Sequence, residues 1–235
     1  MGSLRRLRPA PYIPRRTTGT QGGTSMAHLA LVGDSIFDNA AYTVGGPAII
    51  KQVRKHIPIG WRATLGAVDG ARIDEVAPQL AKLPADVDKL VVSVGGNDVL
   101  ELAPLLDAPV TKSAQAVAMI GDAARAFEAA YRAMLEGCLH IDRHSAICTI
   151  YWGNFPDQTF QHIARTALAP FNDAIIRIGV EHGLTIIDLR LVVNAPADYA
   201  NPIEPSSAGG EKIAKAIIRA ATGDGGWERS ARIIG

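Results

Sequence analysis

The sequence predicts an α/β fold, a three-layer α/β/α sandwich around a parallel five-stranded sheet, on three observations. Strand-like apolar runs recur near residues 29–32, 62–68, 90–94, 146–151 and 184–189. Helical patterns at 47–56, 73–83, 113–139, 159–182 and 207–221 alternate with them, and such alternation reads as successive βαβ units. The runs are apolar almost throughout, as expected of strands covered by helices on both faces.

Taken in order, the first run, Leu29-Ala30-Leu31-Val32, ends abruptly in Gly33-Asp34-Ser35. A serine at the C-terminal end of a buried strand stands at the rim of an open sheet, where such folds bind ligands, so Ser35 is a candidate nucleophile. An ordinary turn fits the tripeptide equally well. Phe37 and Asn39 follow and are expected to shape a pocket. The second run leads into a polar loop holding Gly70. The third ends in Gly95-Gly96-Asn97-Asp98, where Asp98 suits the cap of a helix starting near Val99. The fourth delivers Tyr151, Trp152, Asn154 and Phe155, a wall with aromatic faces and polar edges that suits an acyl chain or a sugar ring. The fifth ends at Asp188, expected to cap a strand end, and Asn201 to Ser206 precede the last helix. Three of these loops follow C-terminal strand ends and are expected to converge on one edge of the sheet.

Gly33-Asp34-Ser35, the middle Gly70 and Gly95-Gly96-Asn97-Asp98, in this order, resemble the SGNH hydrolases, the GDSL esterase/lipase family, from about Ala27 to Ala221. The resemblance implies the same flavodoxin-like sandwich and an ester hydrolase with Ser35 as nucleophile. It also implies an oxyanion hole from the Ser35 and Gly70 backbone N–H groups and the Asn97 side chain. The family's fourth motif, Asp-x-x-His, supplies the base and the acid that orients it. Here the matching segment reads Asn201-Pro202-Ile203-Glu204, with Asn201 in the Asp position and Glu204 in the His position.

Glu204 therefore has three readings: it is the base itself, it orients a histidine from another loop, or it marks a protein that kept the pocket and lost most of the chemistry. An unperturbed glutamate is a weak base at neutral pH, about two units below histidine, unless burial raises its pKa. Of the six histidines, His162 lies nearest the expected catalytic edge. Asn201 can hydrogen-bond but supplies no negative charge for an imidazolium. Two alternatives to an esterase stay open: a silent binder of an acylated or carbohydrate ligand, and a flavin or nucleotide binder. The latter lacks a Gly-rich phosphate loop after the first strand.

Composition bounds the rest. The 235 residues, 48% hydrophobic and 20% charged, suit one domain spanning 26–235. An Arg-rich, Pro-containing extension at residues 1–25 is expected to be disordered. Without its five arginines the chain holds 19 basic against 23 acidic side chains, so no broad basic face for nucleic acid is expected. The apolar runs are too short to span a membrane. Cys138 and Cys148 are expected to be buried free thiols. No metal-binding pattern is present, and neither metal nor cofactor is expected. The expected partner is a small ester substrate, and the expected compartment is the cytoplasm.

Overall fold

The computed structural model describes residues 26–142 and 144–223. The expected extension at 1–25 and the tail from Trp227 lie outside them. Five strands, β1 (His28–Gly33), β2 (Arg62–Leu65), β3 (Lys89–Ser93), β4 (Ala146–Cys148) and β5 (Thr185–Ile187), form one sheet in the order β2-β1-β3-β4-β5. Every pair is parallel. The helices are α1 (Ile49–His56), α2 (Val76–Leu80), α3 (Gly96–Glu101), α4 (Ser113–Ile141), α5 (Gln158–Glu181), α6 (Leu189–Val192) and α7 (Ser207–Thr222).

Side chains alternate across a strand, and β1 uses the alternation to feed two cores. Leu29 and Leu31 pack with Ile49, Val53, Ile213 and Ile217 of α1 and α7. Ala30 and Val32 pack with Phe127, Tyr131, Ile175 and Ile178 of α4 and α5. The sandwich is thus the three-layer one expected. Cys138 and Cys148 are free and buried, and burial pushes the Cys138 thiol up to about 12.

Several expected elements are shorter than their patterns, among them the runs 62–68 and 184–189, of which only 62–65 and 185–187 are strand. The 73–83 helical pattern becomes a 3-10 turn at Ile73–Glu75 followed by α2. Pro78 is tolerated there because it sits in the first turn, where backbone N–H groups lack helical partners. The apolar run at 146–151 leaves the sheet after Cys148 because Asn172 of α5, fully buried, accepts from Ile150 N at 2.7 Å and donates to Ile150 O at 2.8 Å. A side-chain amide thus replaces a strand partner and releases the chain into the loop bearing Trp152.

Candidate active site

The same device builds the turn that carries Ser35. Buried Gln79 accepts from Gly33 N at 2.7 Å and donates to Gly33 O at 2.8 Å, closing off the end of β1. Gly33 has φ +128°, and a Cβ there would lie 1.7 Å from Ser93 O, so only glycine fits. Beyond it Asp34 N donates to Ser93 O at 3.0 Å, and the chain turns. Ser35, 6% exposed, donates from Oγ to Glu204 Oε1 at 3.0 Å.

Glu204 arrives from the loop before α7 and is held from several sides. Asn201 Oδ1 accepts from Ile203 N and Glu204 N, both at 2.9 Å, so the amide folds the backbone of the loop rather than touching the Glu204 carboxyl. Ala200 N donates to Glu204 O at 2.9 Å, and the Tyr151 hydroxyl donates to Ile203 O. Phe37 and Asn39 do not shape a pocket. Phe37 is fully buried in the core beside α1 and α7. Asn39, also fully buried, accepts from Ile49 N at 2.9 Å, starting α1, and donates to Pro205 O at 3.5 Å.

Burial of Glu204 disfavours its charged form and pushes its pKa up to about 7; the Ser35 hydrogen bond opposes the shift and the Asp69 carboxylate adds to it. Its Oε2 is buried and has no partner among the described residues. Asp34 is pushed up to about 8, chiefly by burial; the Ile36 N–H opposes and the charge of Glu204 adds. A carboxylate that titrates near neutrality and accepts a hydroxyl hydrogen bond has the geometry and the basicity to take that proton.

Asn97, in the first turn of α3, lines the cavity with Ser35 and Glu204, and its Nδ2 donates to Ala71 O at 2.9 Å, tying α3 to the residue after Gly70; Gly70 itself is not among the cavity's lining residues. Gly70 is exposed, with φ +79° and open space where a Cβ would stand. Asp98 does not cap a helix beginning near Val99. The helix α3 starts at Gly96, with Gly95 left-handed at its N-cap, and the Asp98 carboxylate instead accepts from Ile73 N at 3.2 Å. Asp188 does cap, accepting from Arg190 N at the start of α6.

No histidine lines the cavity at Ser35. His162 is exposed on α5. His28, buried at the far end of β1, is within hydrogen-bonding distance of Asp86 through Nδ1 and Thr64 through Nε2. His56, His140, His144 and His182 are exposed. Among the described residues no group of three His, Cys, Asp or Glu is disposed to hold a metal, and no helix is long and apolar enough to cross a membrane.

From Ser35, Asn97 and Glu204 a cavity of about 150 Å³ runs into the layer of α4 and α5. Its inner wall is apolar, with Val99, Leu102, Leu105, Ile120, Leu168 and Phe171. Tyr151, Trp152 and Phe155 line it as expected, whereas Asn154 faces a separate polar pocket. The wall made by α3 and the 3-10 turn Ala103–Asp107 was missed in the sequence. Val99, Leu102, Leu105 and Leu106 repeat at roughly helical spacing, but Pro104 interrupts the stripe.

A profile of the GDSL-like lipase/acylhydrolase family matches residues 31–212. No curated protein matches the sequence. Among solved structures, an extracellular lipase from Streptomyces rimosus is 16% identical, with a TM-score of 0.61 over 83% of this chain and 99% of that one. A lipolytic protein from Veillonella parvula is 13% identical, TM-score 0.63, over 83% and 98%. An acetylxylan esterase from Geobacillus stearothermophilus is 18% identical, TM-score 0.58, over 87% and 97%. At these identities the likeness is one of fold.

Proposed function

The chain belongs to the GDSL-like lipase/acylhydrolase family, and on that premise we propose that it hydrolyses small carboxylic esters through an acyl-enzyme on Ser35, with Glu204 as general base. The observation that carries this reading is the hydrogen bond from Ser35 Oγ to Glu204 Oε1, 3.0 Å long, at the mouth of an apolar cavity. Glu204, ionised, takes the Oγ proton as Oγ attacks the ester carbonyl carbon. The carbonyl oxygen becomes an oxyanion that receives N–H groups from Ser35, Gly70 and the Asn97 amide. When the intermediate collapses, the C–O bond to the alcohol breaks and neutral Glu204 returns the proton to the departing oxygen. Water then attacks the acyl-enzyme, giving a proton to Glu204; as that intermediate collapses the acyl C–O bond to Ser35 breaks, Glu204 passes the proton to Oγ, and the acid leaves. A base with a pKa near neutrality serves both directions of transfer.

The apolar lining favours an acyl chain over a sugar ring as the group that fills the cavity. Two buried free thiols suit a reducing compartment, and the cytoplasm is the proposed location. The test is the initial rate of p-nitrophenyl ester hydrolysis from pH 5 to 9 by the protein and by Ser35→Ala. A rate lost in the variant supports the proposal. Equal rates refute it, and ligand-induced thermal stabilisation that survives Ser35→Ala would then identify a binding protein using the same cleft.

A further inference from the structure

A second, polar pocket of about 560 Å³ lies on the other side of Trp152. Trp152 and Gly153 line both it and the apolar cavity, so one indole is the partition between them. Two guanidinium groups are held against that indole, Arg165 at 5.2 Å and Arg190 at 5.3 Å from the ring centroid. Arg190 is neutralised by Asp188, with contacts of 2.7 and 2.6 Å. Asp188 is saturated, since its Oδ1 also accepts from Thr149 Oγ at 2.8 Å. Arg165 has no carboxylate partner among the described residues. It, Asp188 and Arg190 are the charged side chains of the lining, and the remaining polar ones are neutral, including Asn154, Gln158, Gln161 and Asn194. Asp198, beneath the Asn194 loop, is taken by Lys212 at 2.7 Å and by Asn194 N at 3.0 Å.

The pocket therefore carries one uncompensated positive charge on a planar donor, an exposed guanidinium lying 5.2 Å from the centroid of the half-buried Trp152 ring and surrounded by neutral amides. Guanidinium presents paired N–H donors that match phosphate and carboxylate oxygens, and an indole face holds it in place without neutralising it. The pocket is also continuous with the Glu204 loop, because Asn154 N donates to Pro202 O at 2.8 Å. We propose that this pocket binds an oxyanionic group, phosphate or carboxylate, on the alcohol portion of the substrate, with Arg165 as its principal contact. The placement on the alcohol side rests on the ester-hydrolase reading, in which the acyl chain takes the apolar cavity; the anion site itself does not.

The test compares hydrolysis of 1-decanoylglycerol 3-phosphate with that of 1-decanoylglycerol, which share acyl chain and scissile bond and differ in the anion. The protein is expected to prefer the phosphate ester by about tenfold in kcat/KM at low salt, the size of one charged hydrogen-bonding contact. Arg165→Gln brings the ratio close to one, Arg165→Lys restores part of it, and Arg219→Gln, an equal charge change on the exposed face of α7, leaves it intact. A binding arm uses Ser35→Ala, titrated calorimetrically with glycerol 3-phosphate and with inorganic phosphate, with and without Arg165→Gln. Glycerol 3-phosphate binding weakened about tenfold by Arg165→Gln supports the anion site even if neither ester is hydrolysed, in which case only the ester-hydrolase reading fails. Inorganic phosphate binding as tightly as glycerol 3-phosphate overturns the substrate assignment. A substrate ratio and a phosphate affinity both indifferent to Arg165 overturn the proposal as a whole.

Discussion

Replacing Glu204 with Gln tests the base at the level of its proton. Burial raises the carboxyl from 4.5 to about 7, and at about 1.4 kcal/mol per pKa unit the folded protein disfavours the ionised form by about 3 kcal/mol. Two measurements follow from that one number. In the pH–rate profile, kcat/KM climbs with unit slope to a midpoint near 7, so that at pH 6 it stands at about a tenth of its plateau. Glu204→Gln lowers the plateau by about 10²–10⁴-fold, the usual span for a general base, and removes the limb. His162→Gln, on the exposed side of α5, keeps both. In denaturant unfolding the native state holds the Glu204 proton more tightly than the unfolded chain. The contribution of this group to stability is thus fully present below about pH 4.5 and is lost as pH rises to about 7. Measured as the difference between the protein and Glu204→Gln, the variant gains on the parent by up to about 3 kcal/mol between those pH values and by nothing further above them. A rate profile flat from pH 5 to 9, or a limb near 7 that survives in Glu204→Gln, refutes the assignment of the base.

Other perturbations probe the surroundings. Gln79→Leu leaves the buried Gly33 N–H without its acceptor and is expected to cost about 1–3 kcal/mol in urea unfolding, with a loss of activity from the loosened Ser35 turn. Ala167→Phe fills the cavity between α4 and α5 and is expected to reduce hydrolysis of p-nitrophenyl decanoate at least about tenfold relative to the acetate, the discrimination of a few lost methylene contacts. Asn201→Asp places a carboxylate on the loop backbone that carries Glu204 and is expected to move the limb of the pH–rate profile above 7, through a like charge nearby rather than in contact. Combined with Glu204→His the same substitution is expected to help, a non-additivity of about 1–3 kcal/mol in a double-mutant cycle on kcat/KM.

Features written in local pattern were legible in the sequence. The alternation of apolar runs and helical stripes predicts the five parallel strands, and Gly33-Asp34-Ser35 marks the turn at the end of β1 because it follows the apolar run directly, although the partners that shape that turn, Gln79 and Ser93, are distant in the chain. Features made by distant partners were not. Nothing in the run 146–151 tells that Asn172 will take both backbone groups of Ile150, so the strand reads as too long. An apolar residue two places after Ser35 looks the same whether it faces ligand or core, and Phe37 faces the core. The cap expected of Asp98 went instead to a loop 25 residues away, at Ile73. Ser35 and Glu204 are separated by 169 residues, and their approach was expected only through the order of motifs. Arg165, Trp152 and Arg190 lie on three different elements, so their convergence carries no signature along the chain.

If Glu204 is the base, as proposed, its pairing with Asn201 follows from the charge each base creates. A histidine base becomes an imidazolium when it takes the serine proton, and a neighbouring carboxylate is then worth about 10⁴ in turnover in a serine protease. A glutamate base begins as an anion and becomes neutral, so there is no cation to stabilise. A carboxylate at position 201 would instead act as a like charge on the ground state, raising an already elevated pKa and emptying the ionised form at neutral pH. The neutral amide removes that repulsion while doing the structural work, since Asn201 Oδ1 accepts from the backbone N–H groups of Ile203 and Glu204. Neighbouring charge already matters here, because the Asp69 carboxylate contributes to the raised pKa of Glu204. On this argument the two departures from Asp-x-x-His are one change, and either made alone would impair the site: Glu204 with an aspartate beside it is too rarely ionised, and a histidine at 204 beside Asn201 lacks its counter-charge.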